Sequence, residues 1–228
     1  MSALSYPIPP RTALLGLIGA VLGMPKDTPQ TELGESLISV SGPLPKTHWH
    51  RVKFRKDPPA PLPKKVKAGA KGSSTDERAT LIKQQWLIDP AYTITACLPE
   101  EHHEDLASRL KDRRWHYSPC MGLSEMLADL EFVSEGEAQR LPSGSEVLCS
   151  SVARAEAAEP DGRRTLEVSQ GGALLAVLPL RMPRSVTEER VFTHEDYLLE
   201  RSGRPMPLKA DESWRIVTEE EDRTVVFL

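Results

Sequence analysis

The sequence predicts an α+β protein with a helical start, one long β-hairpin and a β-rich C-terminal region. Three observations carry that expectation. An apolar stretch from Ala13 to Gly23 follows two prolines and holds Gly16, Gly19 and Gly23. Alternating residues from Thr47 to Arg55 resume from Leu81 to Ile88, on either side of a basic, proline-rich stretch. From Val147 onward, short β-branched and aliphatic runs recur between glycines and prolines. Residues 1–146 therefore read as one domain that carries the hairpin at about 47–88, and residues 147–228 as a small β-rich region.

Taken in order, Tyr6 to Pro10 is extended, because proline fixes φ and drives the preceding residue out of the α region. Pro10 suits the first turn of a helix, so a helix starts at Pro10 or Arg11. Its glycines fall three and four apart, on one side, and each costs about 1 kcal/mol relative to alanine. Close backbone approach by something else accounts for them. A secretory signal is the competing reading. Two adjacent prolines and the lack of a small-x-small cleavage site after Gly23 argue against it. The run is also well short of the roughly 20 apolar residues that span a bilayer, and the sequence offers no other membrane segment.

Pro25 to Gln30 reads as a loop, Leu37 to Ser41 as a short strand, and Tyr92 to Leu98 as a strand that follows the hairpin. Glu100 to Arg114 reads as a helix with Leu106 and Leu110 inward. Its acids come first and Arg109, Lys111, Arg113 and Arg114 last, the order that suits the helix dipole. Ser124 reads as a helix cap with Leu127 to follow. Later strands are expected at Val147 to Val152, Thr165 to Val168, Ala173 to Leu180, Trp214 to Val217 and Thr224 to Leu228.

The net charge of −4 conceals a sharp segregation. Residues 45–83 hold eleven Lys and Arg against three acids, a balance of +8, which leaves −12 for the remainder. Each phosphate that such a block neutralises releases condensed counterions, so nucleic acid is its natural partner. His48, Trp49, His50, Phe54 and Trp86 add planar groups on which unpaired bases stack. His48, His50 and Val52 alternate with Trp49, Arg51 and Lys53, as in a strand with two different faces. Between the two arms, Pro58, Pro59, Pro61 and Pro63 with Lys64, Lys65, Lys67 and Lys71 make a tip too poor in apolar residues to pack.

No phosphate loop, nucleophile elbow, metalloprotease helix or dinucleotide fingerprint is present, and no cofactor is implied. His102 and His103 are adjacent, hence about 100° apart on a helix, and a surface role is the better reading than a metal site. Cys97, Cys120 and Cys149 have neither C-x-x-C spacing nor an even count, which fits a reducing cytoplasm.

The opening residues Tyr6-Pro7-Ile8-Pro9-Pro10-Arg11-Thr12-Ala13-Leu14-Leu15-Gly16-Leu17-Ile18-Gly19 resemble the N-terminal signature of the Cas family-five proteins. These are RAMP-superfamily subunits of the type I CRISPR surveillance complex Cascade, and the likeness is greatest to the type I-B kind. Asp89-Pro90-Ala91-Tyr92-Thr93-Ile94 agrees in order. Tyr117-Ser118-Pro119-Cys120-Met121-Gly122-Leu123-Ser124-Glu125 resembles the family's Tyr-x-Pro-x-x-Gly-x-Ser-Glu loop, and Thr224 to Leu228 fits the family's close.

The resemblance implies a ferredoxin-like (RRM/RAMP) domain whose hairpin is the thumb. Family members begin with a strand and an aromatic, Arg-containing loop, whereas this sequence reaches Tyr6 almost at once. Either the start is assigned late or the first strand is missing and another subunit covers the open sheet edge. The resemblance also implies a cytoplasmic, non-catalytic ribonucleoprotein subunit of antiviral defence. It would grip the five-prime handle of the crRNA, cap the backbone-subunit filament and contact the large subunit near target DNA.

In that reading Arg11 holds a handle phosphate at a helix N-terminus. Lys46, His48, His50, Arg51, Lys53 and Arg55 line the hairpin stem, and Lys64, Lys65, Lys67 and Lys71 order on RNA. Trp49 and Trp86 stack or wedge bases, with burial in a core as the alternative for each. One subfamily instead cuts precursor crRNA without metal, using Tyr, Lys and His, and its tyrosine falls near the end of the first helix, where this sequence has Leu22. An endoribonuclease is thus the enzymatic alternative. A pure assembly adaptor, docking its basic hairpin on an acidic partner, is the alternative without RNA.

Overall fold

The computed structural model describes residues 2–55, 79–155, 167–168 and 177–228. They form a mixed α/β architecture of mostly strands and few helices. The chain runs β1 (Ser2–Ala3), α1 (Arg11–Leu22), α2 (Thr28–Glu32), β2 (Leu37–Ser41), β3 (Lys46–Arg55), β4 (Ala79–Ile88), β5 (Thr93–Cys97) and α3 (Glu100–Lys111). Strands follow: β6 (Gly136–Arg140), β7 (Ser145–Cys149), β8 (Ala153–Ala155), β9 (Glu167–Val168), β10 (Val177–Val186), β11 (Phe192–Glu200), β12 (Met206–Ala210), β13 (Trp214–Thr218) and β14 (Asp222–Val225). Two compact units result, one of Met1–Pro7 with Pro45–Pro90 and one of Ile8–Leu44 with Ala91–Leu228.

The first unit is the hairpin. β3 and β4 pair antiparallel through ten residue pairs, from Lys46 opposite Ile88 to Arg55 opposite Ala79. β1 adds in parallel to the outer edge of β4 at Lys83 and Gln84. Ser5 reinforces this edge, its hydroxyl donating to the Gln85 carbonyl. The tip lysines Lys64, Lys65, Lys67 and Lys71 lie outside the described residues.

In the second unit, α1 starts at Arg11 because its N-cap residue, Pro10, is extended at φ −64° and ψ 157°. It stops at Gly23, left-handed at φ +84°, whose N–H returns to the Gly19 carbonyl. Leu14, Leu15 and Ile18 pack on Ile38 and Val40 of β2, and Leu98, Met182, Tyr197, Leu199 and Leu228 complete the core. β2 pairs with β5 on one side. On its other side the Ile38 carbonyl accepts from Leu228 N–H and the Val40 carbonyl from Val152 N–H, both at 2.8 Å. That bonding explains why the last residues are buried: the chain end closes the middle of the core.

The three glycines of α1 have different reasons. A Cβ on Gly19 would lie 2.2 Å from Pro29 Cγ, so α2 approaches the helix there. Gly23 terminates the helix. A Cβ on Gly16 would meet nothing within 4 Å. Gly16→Ala is therefore expected to stabilise the chain by about 1 kcal/mol, or roughly 2–4 °C in Tm. Thermal melting checks this, and a lower Tm would mean that the Gly16 side of α1 is crowded after all.

The remaining strands form two further sheets, ordered β10-β11-β8 and β6-β13-β14-β7-β12-β9. In the larger one every pairing is antiparallel except β14 with β7, joined at Thr224 and Cys149. Several boundaries differ from expectation. Thr28 to Glu32 is a short helix rather than loop, and α3 ends at Lys111. No helix follows Ser124: its hydroxyl contacts the neighbouring Glu125 carboxylate at 3.2 Å, and Cys120 bridges to Leu127. Leu127 is 70% exposed, so the segment has no buried stripe to hold a helix together. Among the described residues no helix is long and apolar enough to cross a membrane.

Candidate nucleic-acid interface

The register of β3 and β4 sorts the basic block into two faces, because directly opposed residues point the same way and neighbours along a strand point oppositely. Trp49, Arg51 and Lys53 share one face with Leu81, Lys83 and Gln85. Lys46, His48, His50, Val52 and Phe54 share the other with Ile82, Gln84, Trp86 and Ile88. The structure thus brings together Trp49, Arg51 and Lys53, and adds Lys83. It places Lys46, His48 and His50 on the opposite side. Arg55 pairs with Ala79 at the described end of the hairpin.

The cationic face is built against its own stability. Arg51 stands directly opposite Lys83, and like charges in that position destabilise a sheet pair. Residues 46–55 and 79–88 carry Lys46, Arg51, Lys53, Arg55 and Lys83 and no Asp or Glu. Arg51, Lys53 and Lys83 are exposed, and Trp49 stands among them 47% exposed. The two tryptophans separate here: Trp86, half-buried on the other face, stacks on His50 with ring centroids 4.4 Å apart. An aromatic surface among exposed cations is what a single strand needs, with bases stacked and phosphates neutralised.

Arg11 departs from expectation. It is only 7% exposed, and its Nη2 donates to the carbonyls of Gly34 at 2.6 Å and Ser36 at 2.9 Å. Burial, and then the nearby Arg184, lower its pKa from the ordinary value. Where a handle phosphate was expected, the guanidinium is buried on these two backbone carbonyls, a strut that ties the start of α1 to the turn before β2. In the first turn of α1, Arg11 and Leu14 are buried, while Thr12 and Ala13 reach the surface.

Two residues that sequence reasoning did not select sit at the other end of α1. His116 and Tyr117 donate their backbone N–H groups to the Val21 and Ala20 carbonyls, at 3.2 and 3.0 Å. That places Tyr117 beside a groove which Gly16, Ala20, Met24, Lys26, Arg190 and Phe192 also line. Asp27 and Arg190, both left-handed at φ +74° and +64°, close it with an ion pair of 2.7 Å. Leu22 packs against the core. Of the paired histidines, His102 faces Glu32 and Glu101, while His103 faces Glu135.

The sequence model of the family described as "CRISPR-associated protein (Cas_Cas5)" matches residues 2–225. The fold is similar to that of a chain in a solved structure titled "CRISPR RNA-guided surveillance complex". The two share 18% identity over 91% of this chain and 84% of the other, with a TM-score of 0.49. Among curated proteins no match is found.

Proposed function

The chain belongs to the CRISPR-associated Cas5 family, and from that premise we propose that it is a non-catalytic RNA-binding subunit of a type I Cascade complex, of the I-B kind. Its hairpin serves as a thumb that grips the five-prime handle of crRNA. Its body, a ferredoxin-like core, caps the backbone filament and meets the large subunit. One observation carries this reading: the carboxylate-free hairpin stem sets Arg51 against Lys83 on a face that exposes Trp49. A face so arranged gains stability when phosphates intervene.

Within the interface Arg51, Lys53 and Lys83 neutralise backbone phosphates and Trp49 receives a base. Trp49→Ala is expected to weaken handle RNA by about 1–3 kcal/mol, roughly 5- to 150-fold, as loss of one stacking platform does. Trp86→Ala, on the reverse face, has the smaller effect. Fluorescence anisotropy with a labelled single strand measures both, and equal losses would contradict the assignment of faces.

A second reading keeps one observation of its own. Tyr117 and Lys26 line the groove along α1, with His116 in T-shaped contact with Tyr117. These residue types suit metal-independent cleavage of precursor crRNA. End-labelled repeat RNA, incubated with the purified chain without metal over a salt series, separates the readings. Intact RNA bound with steep salt dependence supports handle gripping, and a single cut at the handle boundary makes the chain the processing nuclease. Salt-sensitive binding to a partner subunit with none to RNA makes it an adaptor.

A further inference from the structure

On the cationic face of the hairpin, the row that sets Arg51 opposite Lys83 is followed by one that sets Trp49 opposite Gln85. Directly opposed residues on one face keep their Cβ atoms about 4.5–5.5 Å apart. A carboxamide therefore stands beside Trp49, the one aromatic group that the described residues place on this face. Unlike Arg51, Lys53 and Lys83, which are exposed, Gln85 is half-buried.

Gln85 is also held, in place and in orientation. Its backbone carbonyl accepts from the Ser5 hydroxyl, and its side-chain Oε1 accepts from the Ser5 N–H at 3.3 Å. Ser5 follows β1, which pairs with β4 at Lys83 and Gln84. Only the oxygen of a carboxamide can meet an N–H, so this bond decides which way round the amide lies. Oε1 is engaged, and Nε2 offers two N–H donors that find no acceptor among the described residues.

Those donors discriminate between bases. Where Arg51, Lys53 and Lys83 carry the phosphates, a base stacked on Trp49 has its sugar edge committed to the strand and its opposite edge free to be read. That edge carries a keto oxygen, an acceptor, in uracil and guanine, and an amino group, a donor, in cytosine and adenine. The two-pronged contact by which a glutamine takes adenine needs its oxygen as well as its nitrogen. Here the oxygen already serves Ser5.

We propose that Gln85 is a specificity-determining residue of the interface: it donates from Nε2 to the keto oxygen of the base stacked on Trp49, and so selects uracil or guanine over cytosine or adenine at that position. The inference rests on the reading of the hairpin as an RNA interface and adds to it the point at which sequence is read. The phosphate contacts give affinity without sequence, and this contact gives sequence at a small gain in affinity.

The test is fluorescence anisotropy of the purified chain with two labelled strands, one all uridine and one all cytidine. These pyrimidines stack alike and differ in the keto oxygen or amino group on the edge away from the sugar. The uridine strand is expected to bind about 3- to 10-fold tighter, the worth of one hydrogen bond. Gln85→Glu keeps the side chain's shape and an acceptor for the Ser5 N–H but replaces the donors by an acceptor. Its charge weakens both strands, and the preference is expected to turn to cytidine. Gln85→Met, without donors, and Trp49→Ala, without the platform, are each expected to bring the ratio of the two affinities to unity. A glutamine that only braces β1 against β4 would leave that ratio unmoved in all three variants. Equal binding of the two strands by the wild type, tighter binding of cytidine, or an unchanged ratio in Gln85→Glu overturns the assignment and leaves the hairpin interface standing. Binding of neither strand overturns the interface and the assignment together.

Discussion

Changing Arg51, Lys53 and Arg55 together to Glu is expected to weaken binding of unpaired handle RNA by at least about 100-fold and to reduce the slope of log affinity against log salt by about 2. The slope follows from three phosphates losing their cationic partners on a single strand, each contributing about 0.7. Reversal adds repulsion to that loss. Arg51→Glu also sets a carboxylate opposite Lys83, which converts an unfavourable cross-strand pair into a favourable one. The hairpin should therefore fold at least as well as in the wild type, and the defect is one of binding. Circular dichroism and anisotropy on the same sample check both halves. Affinity that falls with an unchanged slope would place the phosphates elsewhere.

Glu200→Ala is expected to cost about 3 kcal/mol, lowering Tm by roughly 6–12 °C. Glu200 ends β11 and is 1% exposed. Its Oε2 accepts from the N–H groups of Ser202 at 2.7 Å and Arg204 at 2.9 Å, and its Oε1 from Arg204 Nη2 at 3.1 Å. One carboxylate thus satisfies a whole turn, in which Gly203 is left-handed at φ +74° against the backbone of Gly42 and Pro43. Alanine leaves two backbone donors without their acceptor beside the core. Glu200→Gln, which keeps one acceptor oxygen, should lose less than half as much. Denaturant unfolding monitored by tryptophan fluorescence measures the series.

Much of this architecture was legible in the residues because backbone chemistry spoke directly. Pro10 and Gly23 bounded α1, and the alternation on both arms of the basic block anticipated β3 and β4 to within two residues. The family was legible too, in the Tyr-Pro-x-Pro-Pro-Arg opening. What escaped has a physical reason in each case. β6 is Gly-Glu-Ala-Gln-Arg, fully exposed, so no apolar alternation marks it, and β11 and β12 mix charges and proline into their pattern. Ser124 carried cap chemistry, yet no apolar face followed to fold a helix.

One arm of the interface was legible as a surface, because alternation along the strand already set Trp49, Arg51 and Lys53 apart from His48 and His50. The pairing register was needed to bring Lys83 from the other arm onto that face. Arg11 misled for a related reason. A helix N-terminus suits an anion, but whether it meets solvent is decided by tertiary packing, which a single arginine in a motif does not report.

The central claim is that the Trp49–Arg51–Lys53–Lys83 face holds the crRNA handle. Its most direct test is photo-crosslinking of a 4-thiouridine-substituted handle RNA to the purified chain, with the adducts mapped by mass spectrometry. Crosslinks concentrated in residues 46–55 and 79–88, strongest at Trp49 and lost on its change to alanine, are predicted. Crosslinks confined to the second unit, with the hairpin unmodified, would contradict the account.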